Sequence, residues 1–257
     1  MVFLKTKEEI MTIREAGKIL YGAMQAVEEK IQAGMTTEEI DLMVENYIKE
    51  HDATPSFKGF QGFPGSICTS VGSQVVHGIP GNRVLKAGEI VSIDIGVNKN
   101  GYHSDSAKTF VLGDIDEKVR RLVEVTEEAL YLGIAEAKVG NNIGDISRVI
   151  QEHAESNGFA VVRQLVGHGI GRSLHEDPKV PNFVDRNPGP ALEKGMVLAI
   201  EPMFNMEEVD VLTEQDGWTI VTKDGKPSAH FEHTIVILDE GPKILTNGTS
   251  IDWENIN

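Results

Sequence analysis

The strongest constraint on this fold occurs in the chain twice. Leu85-Lys86-Ala87-Gly88-Glu89-Ile90-Val91-Ser92-Ile93-Asp94 and Leu192-Glu193-Lys194-Gly195-Met196-Val197-Leu198-Ala199-Ile200-Glu201 share the pattern L-x-x-G-x-x-x-x-I-[DE], so Asp94 and Glu201 hold equivalent positions on two strand-like runs. A His-Gly-Ile tripeptide precedes each run, at His77 and at His168. Gly34 precedes Asp94 by 60 residues and Gly140 precedes Glu201 by 61. The alternative is a common helix-loop-strand order carrying a chance tripeptide. Agreement of spacing, tripeptide and acidic residue favours duplication: one domain over 1–257, with halves of approximately 1–112 and 113–257 related by a pseudo-twofold axis that brings Asp94 and Glu201 to one cleft.

Each half opens with two helices. Thr6-Lys7-Glu8-Glu9 is a capping box, and Ile10, Ile13, Ala16, Leu20, Met24, Val27 and Ile31 recur at helical spacing before Gly34. Thr36-Thr37-Glu38-Glu39 is a second box, leading into Ile40, Met43, Val44, Tyr47 and Ile48. In the second half Val119, Leu122, Val123, Thr126, Leu130 and Ile134 give a helix ending at Gly140, and Ile143 to Asn157 gives another. Between the first pair and the first strand, Pro55 to Val71 is rich in Gly and Phe and reads as loop or short strand, its aromatics filling the core.

Ile90 to Val111 reads as a β-hairpin, with Asp94 on its first strand, Asp105 on its second, and turn residues at Asn98-Lys99-Asn100-Gly101. A turn centred on Lys99-Asn100, or a four-residue loop Asn98 to Gly101, sets Asp94 directly opposite Asp105. Two carboxylates about 5 Å apart repel by roughly 3 kcal/mol at an effective dielectric near 20, which a bound cation would relieve. A turn centred on Asn100-Gly101 would instead set Asp94 against Ala107, and solvation of both aspartates would also remove the conflict.

The second half adds His168 in V-G-H-G-I-G-R, Glu201 in A-I-E-P and Glu232 in H-F-E-H-T-I-V-I-L, the last on a strand-like run. Together with Asp94 and Asp105 these make four carboxylates and one imidazole, whose charge two divalent cations balance. Oxygen-rich ligation without thiolate favours Mn²⁺, Fe²⁺ or Co²⁺, with Zn²⁺ admissible. Such a centre acidifies water and polarises a carbonyl, so hydrolysis is the expected chemistry. No G-x-S-x-G elbow is present, and Cys68, the one cysteine, lies in an apolar stretch away from basic groups, which argues against a serine or cysteine nucleophile and against a disulfide framework.

Taken together, V-H-G-I-P at His77, S-I-D-I-G-V at Asp94, Y-H-S-D-S-A at Asp105, G-H-G-I-G at His168, L-H-E at His175, A-I-E-P at Glu201 and F-E-H-T at Glu232 resemble the type I methionine aminopeptidases, in their short bacterial form, over essentially the whole chain. The resemblance implies an α+β pita-bread (creatinase/aminopeptidase) fold, two pseudo-twofold-related helix-helix-strand halves around a central antiparallel sheet. It implies removal of the N-terminal methionine from nascent proteins and peptides, preferentially before a small second residue. By the same resemblance Asp94, Asp105, His168, Glu201 and Glu232 ligate two metals, with Asp105 and Glu232 bridging. His77 and His175 are implied to be catalytic, His77 positioning the peptide beyond the scissile bond and His175 stabilising the oxyanion, while Glu201 relays a proton. Phe60, Phe63, Cys68, Leu174 and Trp218 are implied to line the methionine pocket. Bacterial members often carry tyrosine where Phe60 and Phe63 stand and phenylalanine where Leu174 stands, departures that bear on substrate preference.

Two rivals are weighed against this reading: a proline-directed exopeptidase of the same fold, which usually carries a separate N-terminal domain, and a catalytically dead binding relative, which loses metal ligands. A formal net charge of −16 argues against nucleic-acid partners. No run reaches the length of a membrane span and Met1 to Lys5 lacks a signal-peptide core, so a cytoplasmic protein is expected. The sequence leaves the oligomeric state open; a monomer is the working expectation, with transient ribosome contact admissible.

Overall fold

The computed structural model describes residues 2–251. Four α-helices, one short 3-10 turn (Phe60–Gly62) and fifteen strands occur among the described residues, the helices and strands in the order α1 (Lys7–Lys30), α2 (Thr37–Glu50), β1 (Thr54–Pro55), β2 (Ile67–Val71), β3 (Gln74–Val76), β4 (Glu89–Lys99), β5 (Tyr102–Leu112), α3 (Glu117–Glu136), α4 (Ile143–Ser156), β6 (Ala160–Val161), β7 (Gly167–Gly169), β8 (Glu176–Val180), β9 (Val197–Ile200), β10 (Met203–Asn205), β11 (Val211–Thr213), β12 (Ile220–Thr222), β13 (Ser228–His230), β14 (His233–Leu238) and β15 (Gly241–Ile244). No described helix is long and apolar enough to cross a membrane.

The helices form where capping and periodicity place them. Thr6 and Thr36 cap α1 and α2 reciprocally with Glu9 and Glu39, each satisfying two backbone donors that a helix start otherwise leaves unpaired. The apolar faces of α1 and α2, with Leu20, Val27, Ile40 and Val44, bury against Ile67, Val91 and Ile93 of β2 and β4. In the second half, Leu122, Leu130, Ile146 and Ile150 of α3 and α4 bury against Leu198, Phe204 and Ile235. Both halves tie the helix-helix link to the approach of their strand in the same way. Gly34 N–H donates to Leu85 O at 2.8 Å and Gly140 N–H to Leu192 O at 3.1 Å, while Leu85 N–H and Leu192 N–H return bonds to Met35 O and Asn141 O. The α2 and α4 N-caps, Thr36 and Asn142, make matching bridges to Val84 and Ala191.

The β4–β5 hairpin does not adopt the register that opposes the two aspartates. Asp94 pairs with Ala107 and Asp105 with Gly96, so the aspartates are diagonal neighbours on one face. Lys99 pairs with Tyr102, leaving Asn100-Gly101 as a two-residue turn, with φ of 52° and 81° respectively. A type I′ turn demands positive φ at both central positions, and Asn-Gly is the pair that accepts it with least strain. The local turn preference therefore sets the register.

Two antiparallel sheets carry the site. One holds β1, β4, β2 and β5, and the other runs β15-β14-β9-β7-β8. They join along β5: Glu232 N–H donates to Ala107 O at 2.9 Å, Ala107 N–H returns to Glu232 O at 3.3 Å, and Asp105 N–H donates to Thr234 Oγ1 at 2.9 Å. The β9–β14 pairing, His233 with Ile200, continues in the same register into β10–β13, Met203 with His230. Between them the ladder opens at Glu201-Pro202 and Phe231-Glu232. Pro202 has no N–H to give, though its carbonyl accepts from Phe231 N–H at 3.3 Å. Glu232 thus sits in this opening rather than within a continuous strand, and Glu201 faces it.

Candidate metal centre

The pairing lines the side chains up in rows across the joined sheets. In one row Cys68 is opposite Asp94, Asp94 opposite Ala107, Ala107 opposite Glu232, and Glu232 faces Glu201. In the next row Gly96, Asp105, Thr234, Ala199 and His168 follow one another. Paired residues project to the same side of an antiparallel sheet and so do residues two apart, so all five sequence-assigned ligands emerge on one face. Ala107 stands between Asp94 and Glu232 and Ala199 beside His168, while the place of a side chain at Gly96 is taken by the Phe57 ring, 2.6 Å from where a Cβ would lie.

Ligand atoms of four of the five converge in two groups, and Asp94, outside both groups, lies beside them against Asp105. One ligand atom from each of Asp105, His168 and Glu232 lies within 4.8 Å of the others, and the same holds for Glu201, His230 and Glu232, so Glu232 belongs to both groups. Glu201 lies 3.7 Å from His168 Nε2 through one oxygen and 3.6 Å from His230 Nε2 through the other. His168 Nδ1 contacts Gly169 O at 2.8 Å, which holds the proton on Nδ1 and leaves Nε2 a free lone pair directed at the carboxylates.

Electrostatically the cluster favours compensation by cations. Burial raises the Glu201 carboxyl to about 8. Burial, with Glu201 adding to it, lifts Asp94 to about 6 even though His230 pulls the other way. Asp105 and Glu232 are pushed well above the carboxylate range by burial and by their acidic neighbours. Burial lowers His168 to about 3, and burial together with His230 and His175 lowers His77 to about 4. Asp94 Oδ1, Asp105 Oδ1 and Glu232 Oε1 are buried with no hydrogen-bond partner among the described residues. Unsatisfied buried oxygens on converging acids fit divalent cations, which would satisfy the lone pairs and draw the carboxyls into their ionised form.

The cluster floors a cavity of about 650 Å³. Phe60, Phe63, Cys68, Leu174 and Trp218 all line it, as do His77 and His175. Phe63 meets Trp218 edge to face at 5.2 Å between centroids, Phe60 meets His175 at 5.4 Å, and His175 meets His168 at 4.4 Å. Because Cys68 is paired with Asp94, the apolar wall abuts the carboxylates directly. Burial and then the charges of Asp94 and Asp105 push the Cys68 thiol well up, so it stays protonated and is no nucleophile.

The glycines beside His168 are there for close approach. A Cβ on Gly167 would lie 2.4 Å from Ala199 O, and one on Gly169 would lie 2.2 Å from Asp177 O. Gly169→Ala must push β7 away from β8 and carry His168 with it. The expected result is a loss of roughly 1–3 kcal/mol, read as a Tm fall of about 5 °C in the metal-free protein, together with weaker Co²⁺ binding by calorimetry. Unchanged Co²⁺ affinity would disconnect the Gly169 contact from His168 placement.

His230 is the site residue that sequence reasoning passed over. It is 2% exposed, at the end of β13, two residues before Glu232 in H-F-E. The signal was the i, i+2 spacing, which puts two strand side chains on one face.

The model of metallopeptidase family M24 matches residues 11–239. Methionine aminopeptidase of Clostridium perfringens is 55% identical over 246 residues, covering 96% of this chain and 99% of that protein. Methionine aminopeptidase 1 of Bacillus subtilis is 52% identical over 246 residues, with the same coverage of 96% and 99%. Among solved structures, methionine aminopeptidase from Thermotoga maritima superimposes with a TM-score of 0.94 at 44% identity, covering 96% of this chain and all of that one.

Proposed function

The chain belongs to metallopeptidase family M24, and from that premise we propose that Asp94, Asp105, His168, Glu201 and Glu232 hold two divalent cations, Mn²⁺, Fe²⁺ or Co²⁺ before Zn²⁺, at the floor of a methionine pocket. The protein is a methionyl aminopeptidase, which hydrolyses the bond after an N-terminal methionine. The observation that carries the assignment of its site is the junction of the two sheets, which delivers both ligand rows to one cavity with an aromatic and thiol wall.

When bound, the cations supply Lewis acidity toward the scissile carbonyl and acidify the attacking water. The chain's own groups do the rest. Phe63, Trp218, Cys68 and Leu174 enclose the thioether, where sulfur meets ring edges favourably and water is excluded. Glu201, whose basicity burial raises, would be ionised once the cations compensate the cluster, and would then take the proton from water at a carboxylate oxygen and return it to the departing amine. His175, which lines the cleft with its ring against Phe60 and His168 and whose pKa partial burial lowers, donates from its ring N–H to the developing oxyanion. His77, neutral for the same reason of burial, positions the peptide beyond the scissile bond.

The wall by Cys68 closes directly onto the acidic floor, so the substrate's α-amine is the group that meets the carboxylate cluster. Acetylation removes that positive, unblocked amine and adds volume at the closed end. Free methionine should therefore be released from Met-Gly-Met-Met when the stripped protein is titrated with Mn²⁺ or Co²⁺, and not from its N-acetylated form. Cleavage of X-Pro peptides with Met-Gly-Met-Met untouched would move the activity to a proline-directed exopeptidase.

We further place the two helix-helix-strand halves, approximately 1–112 and 113–257, in one catalytic unit, since each half supplies ligands to the same centre. A small second residue is preferred in the substrate. We take the protein to be a cytoplasmic monomer acting on nascent chains, with contact to the ribosome transient, and a net charge of −16 argues against direct nucleic-acid binding.

A further inference from the structure

The geometry points to His230 as a sixth ligand of the centre, an imidazole donor to the cation position formed with Glu201 and Glu232, opposite His168. This inference rests on the dinuclear reading of the site and adds to it a nitrogen donor on the second side.

Four observations carry it. His230 Nε2 is buried and has no hydrogen-bond partner among the described residues, in a side chain only 2% exposed. An unpaired buried ring nitrogen costs free energy unless something satisfies it. Second, Nε2 stands 3.6 Å from Glu201 Oε2, too long for a hydrogen bond and short enough for both atoms to share one cation. Third, ligand atoms of His230, Glu201 and Glu232 lie mutually within 4.8 Å. Fourth, the backbone holds the ring there: Thr109 Oγ1 donates to His230 O at 2.8 Å and accepts from His230 N–H at 3.0 Å, while Met203 pairs with it on the other side.

The placement also gives a reason for His168 and His230 to occupy opposite ends. Glu201 presents one oxygen to each imidazole, 3.7 Å and 3.6 Å away, so the carboxylate lies between two nitrogen donors. Each cation position then has one nitrogen donor. Imidazole favours the later, more polarisable first-row metals over Mn²⁺, so the second nitrogen should bias the pair of positions toward Co²⁺, Fe²⁺ or Zn²⁺.

X-ray absorption of the full-length protein, stripped and reloaded with two equivalents of Co²⁺, counts imidazoles directly through their outer-shell scattering. Wild type should show about one imidazole per cobalt, and His230→Gln, which keeps the volume and removes the ring, about half. His168→Gln should show the same loss, and a calorimetric titration of His230→Gln should weaken one Co²⁺ step by about tenfold or more, consistent with loss of a ligand. His230→Ala provides a second variant, with the metal-free melting temperature checking that each folds. Half an imidazole per cobalt in wild type, unchanged by His230→Gln and removed by His168→Gln, would overturn the role of His230 and leave the dinuclear centre standing. Failure of wild type to retain Co²⁺ would overturn both.

Discussion

Glu232→Ala should lower kcat/KM on a Met-Gly peptide by roughly 10³-fold or more in Mn²⁺, because even outer-shell partners of a metal cost 10–100-fold and Glu232 stands in both ligand groups. The effect on folding should be small in the metal-free protein. The junction between the sheets runs through the backbone of Glu232, whose N–H and C=O pair with Ala107 whatever the side chain. The carboxyl itself is buried, has one unpartnered oxygen among the described residues, and is pushed toward its neutral form by its surroundings. Removing it relieves an unsatisfied group, about 1–3 kcal/mol, and opens a small cavity of comparable cost. The metal-free melting temperature should thus stay within a few degrees of wild type while the stabilisation contributed by added metal falls. Activity within tenfold of wild type would remove Glu232 from the centre.

How much of this site could be read in the sequence follows from the range of the interactions involved. Capping boxes and helical periodicity are local, and α1 and α2 start where Thr6 and Thr36 place them. The repeated L-x-x-G-x-x-x-x-I-[DE] pattern also has local meaning, and matching bonds from Gly34 to Leu85 and from Gly140 to Leu192 accompany it. Two hairpin registers are compatible with the sequence, and the turn preference of Asn100-Gly101 decides between them: it sets Asp94 against Ala107, and the diagonal placement still brings both aspartates to one face.

Glu201 and Glu232 were harder, because their register depends on long-range pairing. Nothing local says that β9–β14 and β10–β13 form one ladder, or that Pro202 opens it where the two glutamates face each other. His230 was obscured for a related reason. In isolation it reads as a satisfied core histidine, and only the pairing of β5 with the His230 to Thr234 segment turns it toward the carboxylates. The small residues Ala107 and Ala199 likewise take on meaning only through long-range pairing, which sets them among the ligands.

The second large effect is a dependence of stability on pH that metal should abolish. Above pH 6.5 the buried His77 and His168 add little, since burial lowers them to about 4 and about 3 in the fold and their unfolded forms are mostly neutral there too. Carboxyls of the unfolded chain are ionised there, but in the metal-free fold Glu201 is held at about 8, with Asp105 and Glu232 also raised. The folded state therefore binds more protons than the unfolded one, and stability falls as pH rises through the folded-state values. One retained proton corresponds to about 1.4 kcal/mol per pH unit, or about 2 kcal/mol between pH 6.5 and 8. For a chain of this size that is a drop in Tm of about 4–8 °C. Below pH 6.5 the lowered histidines work the other way, because they lose stability as pH falls, so the carboxyl effect is cleanest in the upper window. Divalent cations replace the protons, ionise the carboxyls and remove their dependence across the same window. Calorimetric scans of chelated and Co²⁺-loaded protein at fixed ionic strength would compare the two slopes. A chelated protein that held or gained stability from pH 6.5 to 8 would mean that the acidic cluster is already ionised without metal, and that cations are not what compensates it.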